Sequence, residues 1–288
     1  MRFRWDWLRP VLQAPYVPTI GPVHPSVLTE DLFTDTVAAA SGRRFLHYDK
    51  DIRWSQTKDE TVLVDSIVHQ PWQTMIPTLS QRGAGTVKVH LYGIDPDSVH
   101  AAVELARKLT AGHDAAVARI VRFMGPEALH GHGTRIQLMD FRTALCPPCD
   151  GPVRLHHQWP ARIQDTFAAF AEQMAADGFA FLHQQMQTAT IGPVLTAVVN
   201  HSVAGAIGPM EIRPDAIGTP QLMPQYFGVL PQHRGHGLGR HLWRAAMHWG
   251  QTNGATYQLL QTETGGASDG LCRSEGLTSL GFTYRQTV

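Results

Sequence analysis

Lysine is scarce in this chain: of its 24 basic residues only Lys50, Lys58, Lys88 and Lys108 are lysines. The bias speaks of a GC-rich genome, and the sequence attaches no chemistry to it. Charge as a whole is sparse, at 17%, and 24 basic residues cancel 24 acidic ones. No global field then draws the chain to DNA, RNA or an anionic membrane, so neither nucleic acid nor membrane is expected as a partner. Cysteine is limited to Cys146, Cys149 and Cys272, too few for a disulfide framework in 288 residues and in keeping with a reducing compartment. No stretch approaches the roughly 18 apolar residues of a membrane span, and the start, Met1 to Leu8, lacks the unbroken apolar core of a secretory signal. A cytoplasmic location is the expectation. What is present is globular composition, 43% hydrophobic and 8% aromatic, enough to bury a core and of a length that suits two domains.

Proline clusters mark where regular structure stops. One lies between residues 9 and 25; another is Cys146-Pro-Pro-Cys-Asp-Gly-Pro152, where missing donors and fixed φ break helix and strand alike. The domain boundary is placed there, giving an N-terminal α/β domain at 1–150 and a second domain at 151–288. In the first, Thr86–Gly93 alternates as a strand. Asp95-Pro96 then offers a cap for a helix carrying Val99, Ala102, Val103, Ala106 and Leu109, closed by Gly112. Residues 116–123 and 134–139 read as two more strands, and 72–79 as a helix.

The second half is clearer. Ile163, Phe167, Phe170 and Met174 recur at helical spacing up to Gly178, predicting one helix of about four turns. Phe179–Gln184 is taken as the strand that follows. Val194–Val199 and Val203–Ile207 flank a polar tip at Asn200-His-Ser202, a hairpin signature. Residues 225–230 form a further strand that runs into Pro231-Gln-His-Arg-Gly-His-Gly-Leu-Gly-Arg240, after which Leu238, Leu242, Ala246 and Trp249 predict a helix and Tyr257–Gln261 a returning strand.

Strand, glycine loop, helix is an arrangement with a chemical consequence. Glycines at 235, 237 and 239 let successive N–H groups approach an anion while the helix N-terminus adds its positive dipole end. A phosphate is the natural ligand. The lysine of a nucleotidase P-loop is absent, since Leu238, Gly239 and Arg240 stand there. A dinucleotide fold expects an all-parallel unit, which the preceding hairpin opposes.

Gln232-x-x-Gly235-x-Gly237 with its surrounding element order resembles the GNAT N-acyltransferases, over about residues 153–288. Leu280-Gly281-Phe282 is similar to the Leu-Gly-Phe that opens that family's last sheet section. The resemblance implies a mixed, mostly antiparallel sheet flanked by helices, with a second, smaller α/β domain that, in a tandem arrangement, is a degenerate copy. It also implies that Gln232, Arg234, Gly235, His236, Gly237, Leu238, Gly239 and Arg240 hold the diphosphate of acetyl-CoA or another acyl-CoA. Phe227 and Val229, on the splayed strand before the loop, are then expected to hydrogen-bond the pantetheine arm and thioester carbonyl, with the Val229 N–H on the oxyanion. An acyl carrier protein presenting the same arm is an alternative donor.

Two departures stand out. Many members carry a tyrosine four residues before the final Gly-Phe as general acid, where this chain has Leu277; Ser274, Cys272, Tyr284 or unassisted thiolate departure are the substitutes. Only six residues follow Phe282, so a closing strand is expected from the first half, the N-terminal arm or a second protomer, which would make a homodimer. Deprotonation of the acceptor amine falls to Glu263, at the end of the strand after the loop helix, or to Glu211, at the end of the hairpin, with Tyr226 orienting amine or water. The acceptor is expected to be a small-molecule or peptide amine. A catalytically silent acyl-CoA sensor and a malonyl-thioester decarboxylase are the competing functions.

Two further patterns compete for attention. Cys146-Pro-Pro-Cys149 with His156 and His157 has zinc-ligand residue types but no finger spacing, so a linker is preferred. Gln81-Arg-Gly-Ala-Gly85 copies the loop in text without its strand–loop–helix setting and is taken as a tight turn.

Overall fold

The computed structural model describes residues 3–93, 95, 97–128, 133–148, 151–188 and 191–288. Its chain divides into two compact units. One comprises Met1–Met139, Pro214–Gly218 and Leu259–Val288, the other Asp140–Arg213 and Thr219–Gln258. The chain passes from the first unit to the second at Met139/Asp140, and Leu259–Val288 cluster with the first unit, which they supply with a strand.

In the first unit the sheet order is Tyr257–Glu263 (its Leu259–Glu263 part), Thr134–Asp140, Thr278–Thr287, Val117–Met124, Thr86–Gly93, Gln73–Ser80 and Glu60–Val62. The closing strand left open by the sequence comes from this chain. Thr278–Thr287 runs antiparallel to Val117–Met124 on one side, with Phe282 opposite Met124, and to Thr134–Asp140 on the other. No second protomer is needed to cover it. Residues 72–79, read as a helix, are the strand Gln73–Ser80. Met75, Ile76 and Thr78 are all buried there, so neither face shows the polar–apolar alternation that marks a strand. The tight turn at 81–85 joins this strand to Thr86–Gly93 in register from Gln73↔Gly93 to Ser80↔Thr86. The helix that follows is Ser98–Gly112, later than Asp95 predicts: the Asp95 carboxylate accepts from the Asp97 N–H instead of capping the helix itself. It returns to the parallel strand Val117–Met124 and buries Ala102, Ala106 and Leu109.

The second unit is built on the order Tyr226–Val229, Ser202–Gly208, Leu195–Val199, Val153–Leu155, every pair antiparallel. The predicted hairpin has Asn200 and His201 at φ 49° and 63°, the mirror-image turn that matches strand twist. The predicted four-turn helix is broken into Ala161–Gln164 and Phe167–Gln173. Phe179–Gln184 is not a strand but part of the helix Phe179–Thr188, which buries Phe179 and Leu182 at i, i+3 with Met186 packed behind them. The two sheet faces are separated by what a side chain at each glycine would meet. A Cβ on Gly228 would lie 2.8 Å from Met174 and Phe179, one on Gly205 2.9 Å from Leu242. Helices 167–173 and 179–188 therefore cover one face, and Leu238–Thr252 the other. Both units thus carry antiparallel strands followed by a helix of 15 residues. Among the described residues no helix is long and apolar enough to cross a membrane.

The segment containing Cys146 is fastened to the long helix. Gln251 Oε1 accepts from the Cys146 N–H at 3.0 Å, and its Nε2 donates to the carbonyls of Phe141 and Ala144. Cys149 lies outside the described residues.

Candidate functional site

The strand Tyr226–Val229 ends its sheet, with Ser202–Gly208 as its one strand neighbour among the described residues. Which of its groups face outward follows from one bond. The Leu230 N–H donates to the Ala204 carbonyl at 2.9 Å, so in the antiparallel alternation Gly228 and Leu230 bond inward while Phe227 and Val229 direct N–H and C=O to the open edge. An open edge at the end of a buried strand is a set of polar groups that needs a partner. One is partly met: Arg234 Nε donates to the Val229 carbonyl at 2.9 Å. The Val229 N–H remains directed outward.

The strand passes through the single turn Pro231–His233 into the loop, and helix Leu238–Thr252 begins with Gly237 as N-cap in the left-handed region. Gly235 and Gly237 both hold φ +80°, a conformation that a side chain would strain. Nothing lies within 4 Å of where a Cβ on Gly235 would stand. Gln232, Arg234, Gly235, His236, Gly237 and Arg240 are exposed, so no protein covers the bend. Leu238 is buried and anchors the first helical turn. Gly239 permits that turn to approach the edge strand: a Cβ there would be 3.5 Å from Phe227 and 3.8 Å from Val229. Among the described residues the amides of Gly235 through Gly239 have no protein acceptor. Five consecutive N–H groups at a helix start, without a protein acceptor among the described residues and angled by two left-handed glycines, form a cradle for an anion.

The structure therefore brings together Phe227, Val229 and the whole run Gln232–Arg240. Tyr226 is on the same strand but faces the other way, over Gly178, with Phe179 and Phe181 rings 6.2 and 6.4 Å distant. Glu211 is half-buried and ion-paired with Arg213, and its carbonyl accepts from the Met223 N–H at 2.9 Å. Glu263 belongs to the first unit, where it is exposed as the last residue of its strand. Of the substitute acids, Cys272 is buried and its thiol is pushed up to about 12, first by burial and then by the neighbouring Asp269 charge. Leu277 is buried.

Sequence reasoning missed a carboxamide pair. Gln258, fully buried, donates from Nε2 to Gln225 Oε1 at 2.7 Å, while its own Oε1 has no partner. Gln225 in turn donates to the Met223 carbonyl and directly precedes the edge strand. The available signal was a glutamine in the apolar strand Tyr257-Gln-Leu-Leu, where a buried amide must find partners.

Residues 158–271 match the model of the acetyltransferase (GNAT) family. Among solved structures, a GCN5-related N-acetyltransferase from Sphaerobacter thermophilus is similar at 12% identity, covering 74% of this chain and 76% of that one with a TM-score of 0.47. A tandem GNAT protein from the clavulanic acid biosynthesis pathway is similar at 12% identity over 88% and 92% of the two chains, TM-score 0.45. A GCN5-related N-acetyltransferase from Kribbella flavida is similar at 15% identity over 78% and 90%, TM-score 0.44. No curated protein sequence matches the chain.

Proposed function

We propose that the protein is an acyl-CoA-dependent N-acyltransferase that moves an acyl group, in the first instance acetyl, directly to the amine of a small metabolite or peptide. The observation that carries this reading is the run of unpartnered amides from Gly235 to Gly239 beside a strand whose Phe227 and Val229 main chain faces outward. The donor set fits a diphosphate: amide donors at a helix N-terminus, with Arg240 and Gln232 exposed around them. When bound, the donor supplies the activated thioester. The protein's part is to align that arm along the edge strand and to offer the Val229 N–H to the oxyanion that develops on the acyl carbon. An acyl carrier protein carries the same arm and would use the same strand, but it lacks the adenosine diphosphate that the loop suits.

Proton removal from the acceptor is assigned to Glu263 or Glu211, one of which would have to reach the amine directly or through water. Arg213 holds the Glu211 carboxylate, whereas Glu263 is open to solvent. The Tyr226 phenol, seated on Gly178, suits orientation rather than proton transfer. Replacing each acid by glutamine distinguishes them: the true base loses the acidic limb of the pH–rate profile and the other variant keeps it. The thiolate, of ordinary pKa about 8.5, departs without an acid in this scheme, since Leu277 offers none and a thiol at about 12 is a poor donor. Arg234→Ala removes the donor to the Val229 carbonyl and is expected to weaken acetyl-CoA binding about tenfold by calorimetry, with the thermal midpoint unchanged because the side chain is exposed.

Buried Leu277 also favours a second reading, an acyl-CoA sensor without turnover. Calorimetric titration with acetyl-CoA, followed by thiol-release assays over a panel of amines, decides between the two. Binding with amine-dependent release supports the enzyme, and binding without release on any amine supports the sensor. No binding overturns both.

A further inference from the structure

The sheet of the first unit has two unlike faces. One, with Val89, Leu91, Ala118 and Ile120, packs on helix Ser98–Gly112. The other is polar where a purely structural face would be apolar: Thr78, Lys88 and Arg119 stand side by side across three strands, and Glu60, Ser80 and Thr86 form the next row. The segment from Thr19 to Asp59 lines the other side of a cavity of about 360 Å³ above these rows. That size suits a small metabolite.

Lysine scarcity now has a location. Two of the chain's four lysines, Lys58 and Lys88, line this one cavity. Lys58 is buried, paired with Asp49 and set over the Phe45 ring at 5.3 Å. Lys88 Nζ donates to Glu60 Oε2 at 3.0 Å, while Glu60 Oε1 accepts from Thr78 at 2.6 Å. Arg82 is held by Asp59 at 3.1 Å. Every charge of the lining is thereby matched within the protein except two, the Asp51 carboxylate and the Arg119 guanidinium, which make no ion pair or side-chain hydrogen bond among the described residues. The wall also holds Thr19, a β-branched residue at φ +69°, whose buried hydroxyl has no partner. Such a backbone outlier persists only where surrounding structure enforces it, and it marks sites of function more often than plain scaffold.

We propose that this cavity binds a small zwitterion of the α-amino-acid type, carboxylate to Arg119 and ammonium to Asp51. A polyanion would meet the carboxylates of Asp51, Asp59 and Glu60; a polycation would meet Lys58, Lys88, Arg82 and Arg119. A molecule bearing one charge of each sign answers both unmatched groups and opposes neither set. The site shares no residue with the glycine loop and does not depend on the acyltransferase reading.

Calorimetry on the full chain tests it, titrating L-alanine, L-serine, L-glutamate, L-lysine and L-phenylalanine, with ethylamine and acetate as single-charge controls. At least one amino acid is expected to bind while both controls fail. Arg119→Ala and Asp51→Asn should each weaken that binding about tenfold or more. Both residues are exposed, and a far-UV circular dichroism spectrum with a melting curve of each variant serves as the check that the chain is folded. Absence of binding by all five amino acids overturns the proposal, as do equal binding by ethylamine or acetate and an unchanged affinity in Arg119→Ala with folding intact.

Discussion

Gly237→Val is expected to weaken acetyl-CoA binding about a hundredfold while leaving the thermal midpoint within a few degrees of the parent. The residue is the N-cap of the loop helix at φ +80°, where a β-branched side chain cannot sit without strain. Relief requires rotating the peptide planes on either side, which turns the amides of Gly237 and Leu238 away from their common focus. Each hydrogen bond from an amide to a charged oxygen contributes about 1.5–3 kcal/mol, and a factor of one hundred is about 2.8 kcal/mol. The stability cost is small by comparison because the bend is exposed and Gly237 has only His241 nearby, 3.9 Å from a would-be Cβ. Calorimetry with a parallel melting curve separates the two effects. An unchanged affinity together with a lowered midpoint would mean that the glycine serves the helix alone.

Asp269→Asn is expected to cost about 3–5 kcal/mol in urea denaturation, because it removes a buried carboxylate and strips Arg135, whose side chain is 14% exposed, of its counter-charge. Asp269 Oδ1 accepts from Arg135 Nε at 2.7 Å, from Thr262 at 3.2 Å and from Gln137 at 3.4 Å, and Oδ2 accepts from the Gly265 N–H at 3.2 Å. The Arg135 guanidinium also lies 4.6 Å over the Phe282 ring, so it is held on two sides. Burial alone would raise the Asp269 carboxyl, but the bonds from Arg135 and Gly265, with the Arg135 charge, outweigh it and hold the group below the usual carboxylate range. A carboxyl depressed in the folded state stabilises fully above its unfolded value, about 3.9, and that contribution is lost as pH falls through the folded value. The parent should therefore lose stability below about pH 4, and Asp269→Asn should lose less over the same interval.

The functional half of the molecule was legible because its signals are local. Glycines at 235, 237 and 239 after a β-rich hexapeptide and before an amphipathic helix can be read without knowing what packs on them, and the polar tip at Asn200-His201 announces its own turn. The errors share one physical cause, burial on more than one side. Residues 72–79 read as a helix because both faces of the strand Gln73–Ser80 are covered and alternation vanishes. Phe179–Gln184 reads as a strand because its first four residues are all apolar, and only the spacing of Phe179, Leu182 and Met186 gives the helix Phe179–Thr188 away. The partner of the final strand was beyond reach in principle: that Thr278–Thr287 inserts between Val117–Met124 and Thr134–Asp140 is a pairing across more than 130 residues, and no local rule encodes it. Side-chain roles were the least legible. Nothing in the sequence distinguishes Glu211, tied to Arg213, from Glu263, open to solvent.

The central claim, that the amides from Gly235 to Gly239 clamp the diphosphate of the coenzyme, is tested most directly by amide NMR of the ¹⁵N-labelled protein titrated with coenzyme A. The account predicts large downfield shifts for the amide protons of Gly235, Gly237 and Gly239, saturating together with the calorimetric isotherm, and smaller ones for Phe227 and Val229. Saturable binding that leaves those three glycine amides unmoved would contradict it.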